Sequence, residues 1–368
     1  MKRYWPELIT VRIGDKWGYI NTNGNFEIKP QFERAYDFVK NGLAVVKLNG
    51  KWGYIDRTGD FVIEPKFDYA WSGLGVSDLH AVKMNDKCGF VDKTGQFVIN
   101  PQFDEVTDFA ENGLALVLLN GKCGYINEAG QFVINLQFDD AYGFAENGLA
   151  NVQLNGKWGY IDKTGQFVIN PQFDMAWSFE ENGVAGIRLK GKYGYIDKTG
   201  QFVISPQYGR IGIYVPNGLT SVELKGKFGY VGSTGKMVIK PQFDYAYSFC
   251  YAYSYNASSL ALVEMNSKLG YIDKTGQIVI NPQFDDAYDF SENGLANVKL
   301  NGKSGYIDET GKIIINLQYD KAYHFDRDGL ARVEVNGKWG LINCKGEYVA
   351  IPQFDEIEDR MNIVPIRD

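Results

Sequence analysis

The chain has 368 residues, of which 45% are hydrophobic, 23% are charged and 15% are aromatic. This balance is typical of a soluble globular protein with enough apolar surface to form a core. The formal net charge of -7 argues against nucleic acid as the main partner, because phosphate binding needs a concentrated basic surface.

No apolar run reaches the roughly 18 to 20 residues of a membrane span, and the first residues do not resemble a signal peptide. We therefore expect a soluble protein without membrane insertion, either cytoplasmic or the mature form of an exported protein. The four cysteines are Cys88, Cys123, Cys250 and Cys344, and they contain no Cys-x-x-Cys pair. This favours buried or free thiols over the alternative of one disulfide.

A motif of lysine, a usually bulky residue, glycine and then an aromatic residue or leucine recurs along the whole chain. Its glycines are Gly18, Gly53, Gly89, Gly124, Gly159, Gly194, Gly229, Gly270, Gly305 and Gly340. Successive glycines are 35 residues apart, except for one spacing of 36 and one of 41. A fixed period of this length indicates a tandem repeat protein.

The repeat that begins at Gly294 predicts three short strands in chain order. An alternating segment, 295–300, meets Asn301-Gly302, which is a strong signal for a two-residue hairpin turn. A second strand covers 303–308, a Glu-Thr-Gly turn follows, and Lys-Ile-Ile-Ile predicts a third strand. A linker of about 13 residues then leads to the next repeat. Each repeat is therefore predicted to be a three-stranded antiparallel meander, and no segment has the period of a long helix.

The hairpin turn sets the register of the first two strands. It should place Val46 opposite Gly53, Val45 opposite Tyr54 and Lys47 opposite Trp52. One face of the sheet is then small and aliphatic, and the other is aromatic. Three short strands cannot bury both faces, so we expect the aromatic face of one repeat to pack on the aliphatic face of the next. In this interpretation the motif glycine opens a notch for a ring of the neighbouring repeat.

The segment Gly42 to Ala70, GLAVVKLNGKWGYIDRTGDFVIEPKFDYA, resembles the repeat of the bacterial WG-repeat proteins, which are named for the tryptophan-glycine pair. Related copies cover nearly the entire chain, although some replace the tryptophan by Cys or Ser. The resemblance implies an all-β repeat fold of the propeller or solenoid kind. It also implies no established enzymatic activity.

We predict one tandem-repeat domain over residues 1–368, built from ten meanders of about 35 residues. An open superhelical array is favoured and a closed, propeller-like toroid is the alternative, because ten blades exceed the usual 4 to 8. A surplus strand at the end is expected to cap the open array. The predicted units are approximately 8–42, 43–77, 78–112, 113–147, 148–182, 183–217, 218–258, 259–293, 294–328 and 329–361, followed by the capping strand 362–368.

Residues that could carry catalysis are scarce. The two histidines, His80 and His324, occupy repeat positions that hold unrelated residues elsewhere, so neither a metal site nor a nucleophile with its base is expected. The aspartate of a recurrent Phe-Asp pair, such as Asp68, is better explained as a turn residue that bonds backbone amides than as a glycosidase acid. We therefore predict no catalytic residues, no metal and no cofactor.

A second aromatic series occupies one slot in the linkers. Its members are Tyr36, Trp71, Tyr142, Trp177, Tyr247, Tyr288 and Tyr323. Such rings can stack on sugars or anchor a partner protein, because an aromatic side chain gives contact area at low entropic cost. The favoured explanation is that they seal the linker against the sheet, and binding is the alternative.

The leading functional hypothesis is a non-enzymatic scaffold that binds a protein partner through an extended repeat surface. The second hypothesis is a glycan-binding module, for example for a cell-envelope polysaccharide, which would use the linker aromatics. An enzyme is the least favoured class, and nucleic acid is not expected as a partner.

Overall fold

The computed structural model describes residues 8–39, 41–73, 77–216, 218–249, 259–326 and 328–358. Within these ranges the chain forms β-strands and turns and contains no helix, as predicted. Ten four-stranded sheets are present, and every strand pair described in them is antiparallel, such as β5 with β6. Each repeat contributes a first, a second and a third strand to one sheet, and a fourth, short strand follows in the linker.

The strands of each kind have the following bounds. The first strands are Leu8–Ile13 (β1), Ala44–Leu48 (β5), His80–Met84 (β9), Leu114–Leu119 (β13), Ala150–Leu154 (β17), Val184–Leu189 (β21), Thr220–Leu224 (β25), Leu260–Met265 (β29), Leu295–Leu300 (β33) and Leu330–Val335 (β37). The second strands are Lys16–Asn21 (β2), Lys51–Ile55 (β6), Lys87–Val91 (β10), Lys122–Asn127 (β14), Lys157–Ile161 (β18), Lys192–Asp197 (β22), Lys227–Val231 (β26), Lys268–Asp273 (β30), Lys303–Asp308 (β34) and Lys338–Asn343 (β38). The third strands are Phe26–Phe32 (β3), Phe61–Phe67 (β7), Phe97–Phe103 (β11), Phe132–Phe138 (β15), Phe167–Phe173 (β19), Phe202–Tyr208 (β23), Met237–Phe243 (β27), Ile278–Phe284 (β31), Ile313–Tyr319 (β35) and Tyr348–Phe354 (β39). The short strands are Arg34–Ala35 (β4), Tyr69–Ala70 (β8), Glu105–Val106 (β12), Asp140–Ala141 (β16), Met175–Ala176 (β20), Arg210–Ile211 (β24), Tyr245–Ala246 (β28), Asp286–Ala287 (β32), Lys321–Ala322 (β36) and Glu356–Ile357 (β40).

The short strand joins each repeat to the next. In the second repeat the sheet order is β4-β5-β6-β7, so the short strand of the first repeat pairs with the first strand of the second. Arg34 lies opposite Lys47 and Ala35 lies opposite Val46. The sequence predicted only a linker here, because two residues are too few to show an alternating pattern. The predicted meander therefore had three strands, whereas each observed sheet has four.

The two ends of the repeat series pair with each other. The last short strand, β40, lies antiparallel to β1, with Val11 opposite Ile357. The hairpin amide of Gly14 donates a hydrogen bond to the Asp355 carboxylate at 2.7 Å, and this contact recurs between consecutive repeats. The favoured open array is therefore wrong, because the last short strand completes the sheet of the first repeat and closes the series. Closure pairs the strand edge that an open array would leave exposed. The predicted capping strand 362–368 lies outside the described residues.

Two compact units divide the chain. One holds the residues up to Gln172 together with those from Phe354 onward, and the other holds Phe173–Gln353. The sheets of repeats 1 to 5 belong to the first unit, and those of repeats 6 to 10 belong to the second.

The predicted hairpin register is confirmed. Val46 lies opposite Gly53, Val45 opposite Tyr54 and Lys47 opposite Trp52. The turn residue Asn49 has a φ of 52°, in the left-handed region that a tight hairpin requires. The predicted face-to-face packing is also present. Trp52 and Tyr54 share a buried cluster with Val82 and Val91 of the next repeat.

The motif glycine has a different role from the predicted one. In the third strand Ile63 lies opposite Tyr54 and Phe67 lies opposite Trp52, so three residues of this strand bulge over the single residue Gly53. A Cβ atom on Gly53 would lie 2.5 Å from the Ile63 carbonyl oxygen and 2.8 Å from the Pro65 nitrogen. Glycine is thus required by the bulge of its own repeat, and the prediction of a notch for a neighbouring ring is wrong.

A second glycine makes the contact with the neighbouring repeat. Gly59, in the turn before the third strand, has a φ of 91°, and a Cβ atom there would lie 3.3 Å from the side chain of Ile28 in the preceding repeat. The same 3.3 Å contact recurs at Gly130 and Gly165. The turn glycine therefore lets the third-strand isoleucine of one repeat reach the next repeat.

Candidate binding surface

The seven aromatic residues predicted as candidates each lie directly after a short strand. Tyr142, Trp177, Tyr247 and Tyr288 expose 41%, 43%, 42% and 38% of their surface, respectively. Tyr36, Trp71 and Tyr323 are half-buried. We call these seven residues the linker aromatics. The motif tryptophans differ from them, since Trp52 exposes only 6% and Trp158 only 8%.

Most linker aromatics lie against the bulky motif residue of the following repeat. The rings of Tyr36 and Trp52 are stacked at 5.7 Å with an interplanar angle of 13°. Tyr323 and Trp339 are stacked at 5.5 Å and 25°. An arginine also lies over each of these two linker rings, Arg34 at 5.2 Å from Tyr36 and Arg332 at 4.5 Å from Tyr323, so both rings are half-buried.

The backbone of the linker aromatics is fixed by the tyrosine of the repeat motif. The Tyr125 hydroxyl donates a hydrogen bond to the carbonyl oxygen of Tyr142 at 2.7 Å, and Tyr271 donates to Tyr288 at 2.7 Å. The Tyr142 amide donates in turn to the Asn151 carbonyl at 3.0 Å. Burial raises the pKa of the Tyr271 hydroxyl well above its ordinary value, so this group remains a donor. Both backbone groups are bonded in this way in five linker aromatics, namely Tyr36, Trp71, Tyr142, Tyr288 and Tyr323.

The aspartates of the Phe-Asp pairs connect consecutive repeats. Asp68 accepts a hydrogen bond from Lys51 Nζ at 2.6 Å, and its other oxygen accepts from the amide of Asn85 at 2.7 Å. Lys51 belongs to the same repeat and Asn85 to the hairpin turn of the next. The bond from Lys51 holds the pKa of the Asp68 carboxyl below its ordinary value. This arrangement gives the recurrent acid a structural role.

The remaining candidates for chemistry are dispersed. His80 is buried beside Tyr54, with 4.8 Å between the rings, and burial lowers its pKa. Among the described residues no group of three His, Cys, Asp or Glu could hold a metal ion. Cys88, Cys123 and Cys344 are thiols outside any disulfide, whereas Cys250 lies outside the described residues. The described part of the chain has no helix that is long and apolar enough to cross a membrane.

The sequence analysis missed a second exposed apolar row. Ile55 lies opposite Phe61 while Tyr54 lies opposite Ile63, so Val62 is an unpaired bulge residue of the third strand. Seven residues at this position expose between 40% and 53% of their surface: Val62, Val98, Val133, Val168, Val238, Val279 and Ile314. The Phe-Val-Ile run was the available signal, because three consecutive apolar residues of an edge strand cannot all be buried.

Known proteins resemble the chain at two levels. A family model described as the WG containing repeat matches residues 17–52, 52–88, 89–123, 124–158, 158–193, 193–228, 228–268, 270–303, 305–339 and 339–359. No curated protein sequence matches the chain.

Solved structures resemble the chain at low sequence identity. One described as "Crystal structure of the eukaryotic initiation factor" is 12% identical, covers 96% of both chains and has a TM-score of 0.55, which shows similarity of fold alone. The dihydro-heme d1 dehydrogenase NirN is 13% identical over 88% of this chain and 75% of that one, with a TM-score of 0.40. Hsv2p of Kluyveromyces lactis is 12% identical over 71% and 90%, with a TM-score of 0.36.

The family model accounts for nearly all of the chain, and its ten matches follow the ten repeats in order. The chain therefore belongs to the WG-containing repeat family.

Proposed function

We propose that this protein is a non-enzymatic scaffold that binds a protein partner through the linker aromatics. The observation that carries the proposal is the partial exposure of rings whose backbone is already fixed. Tyr142 exposes 41% of its surface, yet its carbonyl oxygen and its amide are both hydrogen-bonded. A partner would then bind rings that lose little freedom on association, which favours affinity.

A purely structural role explains the linker aromatics less well. A ring that only seals a core is nearly covered, as Trp158 is at 8% exposure, whereas Trp177 exposes 43%. The exposed part of a linker ring contributes no packing within its own chain. Truncating such a ring should therefore cost less stability than truncating a buried one.

Glycan binding is the second candidate, and the exposure of the rings supports it. Tyr142 and Trp177 expose 41% and 43% of their surface. An exposed ring face is a surface on which a sugar ring can stack. Protein and glycan ligands would use the same residues, so one pair of variants tests both.

The test combines Tyr142→Ala with Trp177→Ala in the full chain. A photoreactive amino acid at position 142 first cross-links the partner, and the purified partner is then titrated. We expect the double variant to bind about tenfold or more weakly, as loss of aromatic anchors at an interface does. A glycan array is run with the same variant.

The matched control replaces Val133 and Val168, which expose 45% and 46% and lie on third strands. Val133→Ala with Val168→Ala should leave the partner affinity unchanged. If the double aromatic variant melts like the wild type and binds its partner equally well, the linker aromatics are not the binding surface. If only glycan binding is lost, the ligand is a glycan and the protein-partner proposal is wrong.

A further inference from the structure

Two groups of repeats, five repeats apart, depart from the common pattern in matching ways. The third-strand proline is replaced by Leu136 in repeat 4 and by Leu317 in repeat 9. The turn before that strand carries Glu128 and Glu309, where repeats 3 and 8 carry lysine. The two irregular motif spacings, 36 and 41 residues, directly precede repeats 3 and 8. Each compact unit therefore contains one copy of the same set of exceptions.

The structure connects these exceptions in each unit. In the first, the Ser77 hydroxyl, at the end of the longer linker, donates a hydrogen bond to Glu128 Oε1 at 2.7 Å. In the second, the Ser259 hydroxyl donates to Glu309 Oε1 at 3.1 Å. A linker serine thus bonds the turn glutamate in both units, although Ser259 aligns with Asp78 and not with Ser77. The serine leaves the negative charge of each glutamate in place.

A cavity lies at this contact in the first unit. It has a volume of about 490 Å³ and is lined by Ser77, Asp78, Leu79, Val98 and Glu128. Two of these residues are carboxylates and none is basic. Val98 exposes 48% of its surface and gives the cavity an apolar wall. We call this feature the acidic cleft.

We infer that the acidic cleft binds a lysine or arginine side chain of a partner protein, and that the second unit offers an equivalent site. A long basic side chain combines an aliphatic stem with a charged head. Its stem would lie on Val98 and its head would meet Asp78 and Glu128, in charge-assisted hydrogen bonds. This inference rests on the proposed function in one respect, that the ligand is a protein.

The second site is built from the matching residues. Leu260 and Val279 stand where the first unit has Leu79 and Val98, and Val279 is also exposed, at 44%. Ser259 stands where the first unit has Asp78, so this site has one carboxylate fewer. We therefore expect the first unit to bind a basic side chain more tightly.

The test uses a fluorescein-labelled tetra-arginine peptide and the full chain at physiological salt. Calorimetry should show two sites of unequal affinity per chain. Glu128→Gln should weaken the tighter site about tenfold, the loss expected when a hydrogen bond to a charged group is removed. Glu309→Gln should weaken only the other site. Asp78→Asn is a second, independent test of the tighter site.

The control variant combines Glu111→Gln with Glu146→Gln, which changes the net charge as much as Glu128→Gln with Glu309→Gln. It should leave both sites intact. The inference is overturned if the control weakens binding equally, if both affinities survive Glu128→Gln and Glu309→Gln, or if tetra-glutamate binds as well as tetra-arginine. Tyr142→Ala with Trp177→Ala should bind tetra-arginine normally. Failure of the cleft and failure of the aromatic surface are thereby distinguished.

Discussion

At the scale of single residues, two glycines recur in each repeat, and each is required for a different reason. The motif glycine faces the bulged backbone of its own third strand, while the turn glycine has a positive φ and meets a side chain of the preceding repeat. The sequence could show that both recur. It could not show which atoms approach each glycine, because the bulge has no signature other than the length of the third strand.

We predict that Gly159→Ala destabilises the protein. A Cβ atom there would lie 2.5 Å from the Ile169 carbonyl oxygen and 2.7 Å from the Pro171 nitrogen, and backbone atoms cannot move aside cheaply. The expected loss is about 1 to 3 kcal/mol in the free energy of unfolding, as for other overpacked sites. Chemical denaturation measures it. Gly143→Ala is the control, because nothing lies within 4 Å of its Cβ position. Equal stability of the two variants would contradict the bulge explanation.

Two half-buried aspartates give a pH dependence that can be isolated by mutation. Burial raises the pKa of Asp289 to about 7 and that of Asp108 to about 6. An unfolded aspartate titrates near pH 3.9, so the stabilisation from the protonated form is complete below about pH 4. It is then lost as the pH rises through the folded value.

Asp289→Asn should therefore become more stable relative to the wild type as the pH rises from about 5 to about 8. The comparison with wild type cancels the contribution of the other titrating groups. Asp285→Asn is the control, because the bond from Lys268 lowers the pKa of Asp285 below this range. A constant difference in unfolding free energy between Asp289→Asn and wild type would show that Asp289 ionises normally.

At the scale of elements, the hairpin was the most predictable part of the fold. Asn-Gly turns fix a two-residue loop, and the loop fixes every pair of the first two strands, as the observed partners of Val46 and Lys47 show. The short strand was not predictable, because Arg34–Ala35 is an edge strand only by virtue of the repeat that it joins. The linker aromatics could be located from their shared slot. Their exposure could not, since it depends on which ring covers them.

The acidic cleft illustrates the same limit. Glu128 and Leu136 are visible in the sequence as exceptions, and so are their counterparts five repeats later. Their structural role is seen only in the contact between Ser77 and Glu128, which joins residues 51 positions apart. Long-range placement of this kind follows from the pairing of repeats, not from any local pattern.

At the scale of the whole molecule, an open and a closed series contain nearly the same strands. They differ only in whether the first and last strands of the series pair with each other, and these strands are a few residues long. The junction between the ends repeats the interior junctions, since Phe26 packs edge-to-face on Phe354 at 6.1 Å, as Phe61 packs on Phe32 at 6.3 Å. Pairing of β1 with β40 covers a strand edge whose free N–H and C=O groups would otherwise be a template for aggregation.

Closure is the central claim, and a disulfide between β1 and β40 tests it most directly. Arg12 and Glu356 lie opposite each other across this strand pair, and their side chains are partly exposed. In a variant with the four native cysteines replaced by alanine, Arg12→Cys with Glu356→Cys should form an intramolecular disulfide on mild oxidation. The interior pair Arg34→Cys with Lys47→Cys is the positive control. Mass spectrometry of the monomer should show both cross-links at similar rates. A folded monomer that forms the interior cross-link and not the one between residues 12 and 356 would contradict the closed series.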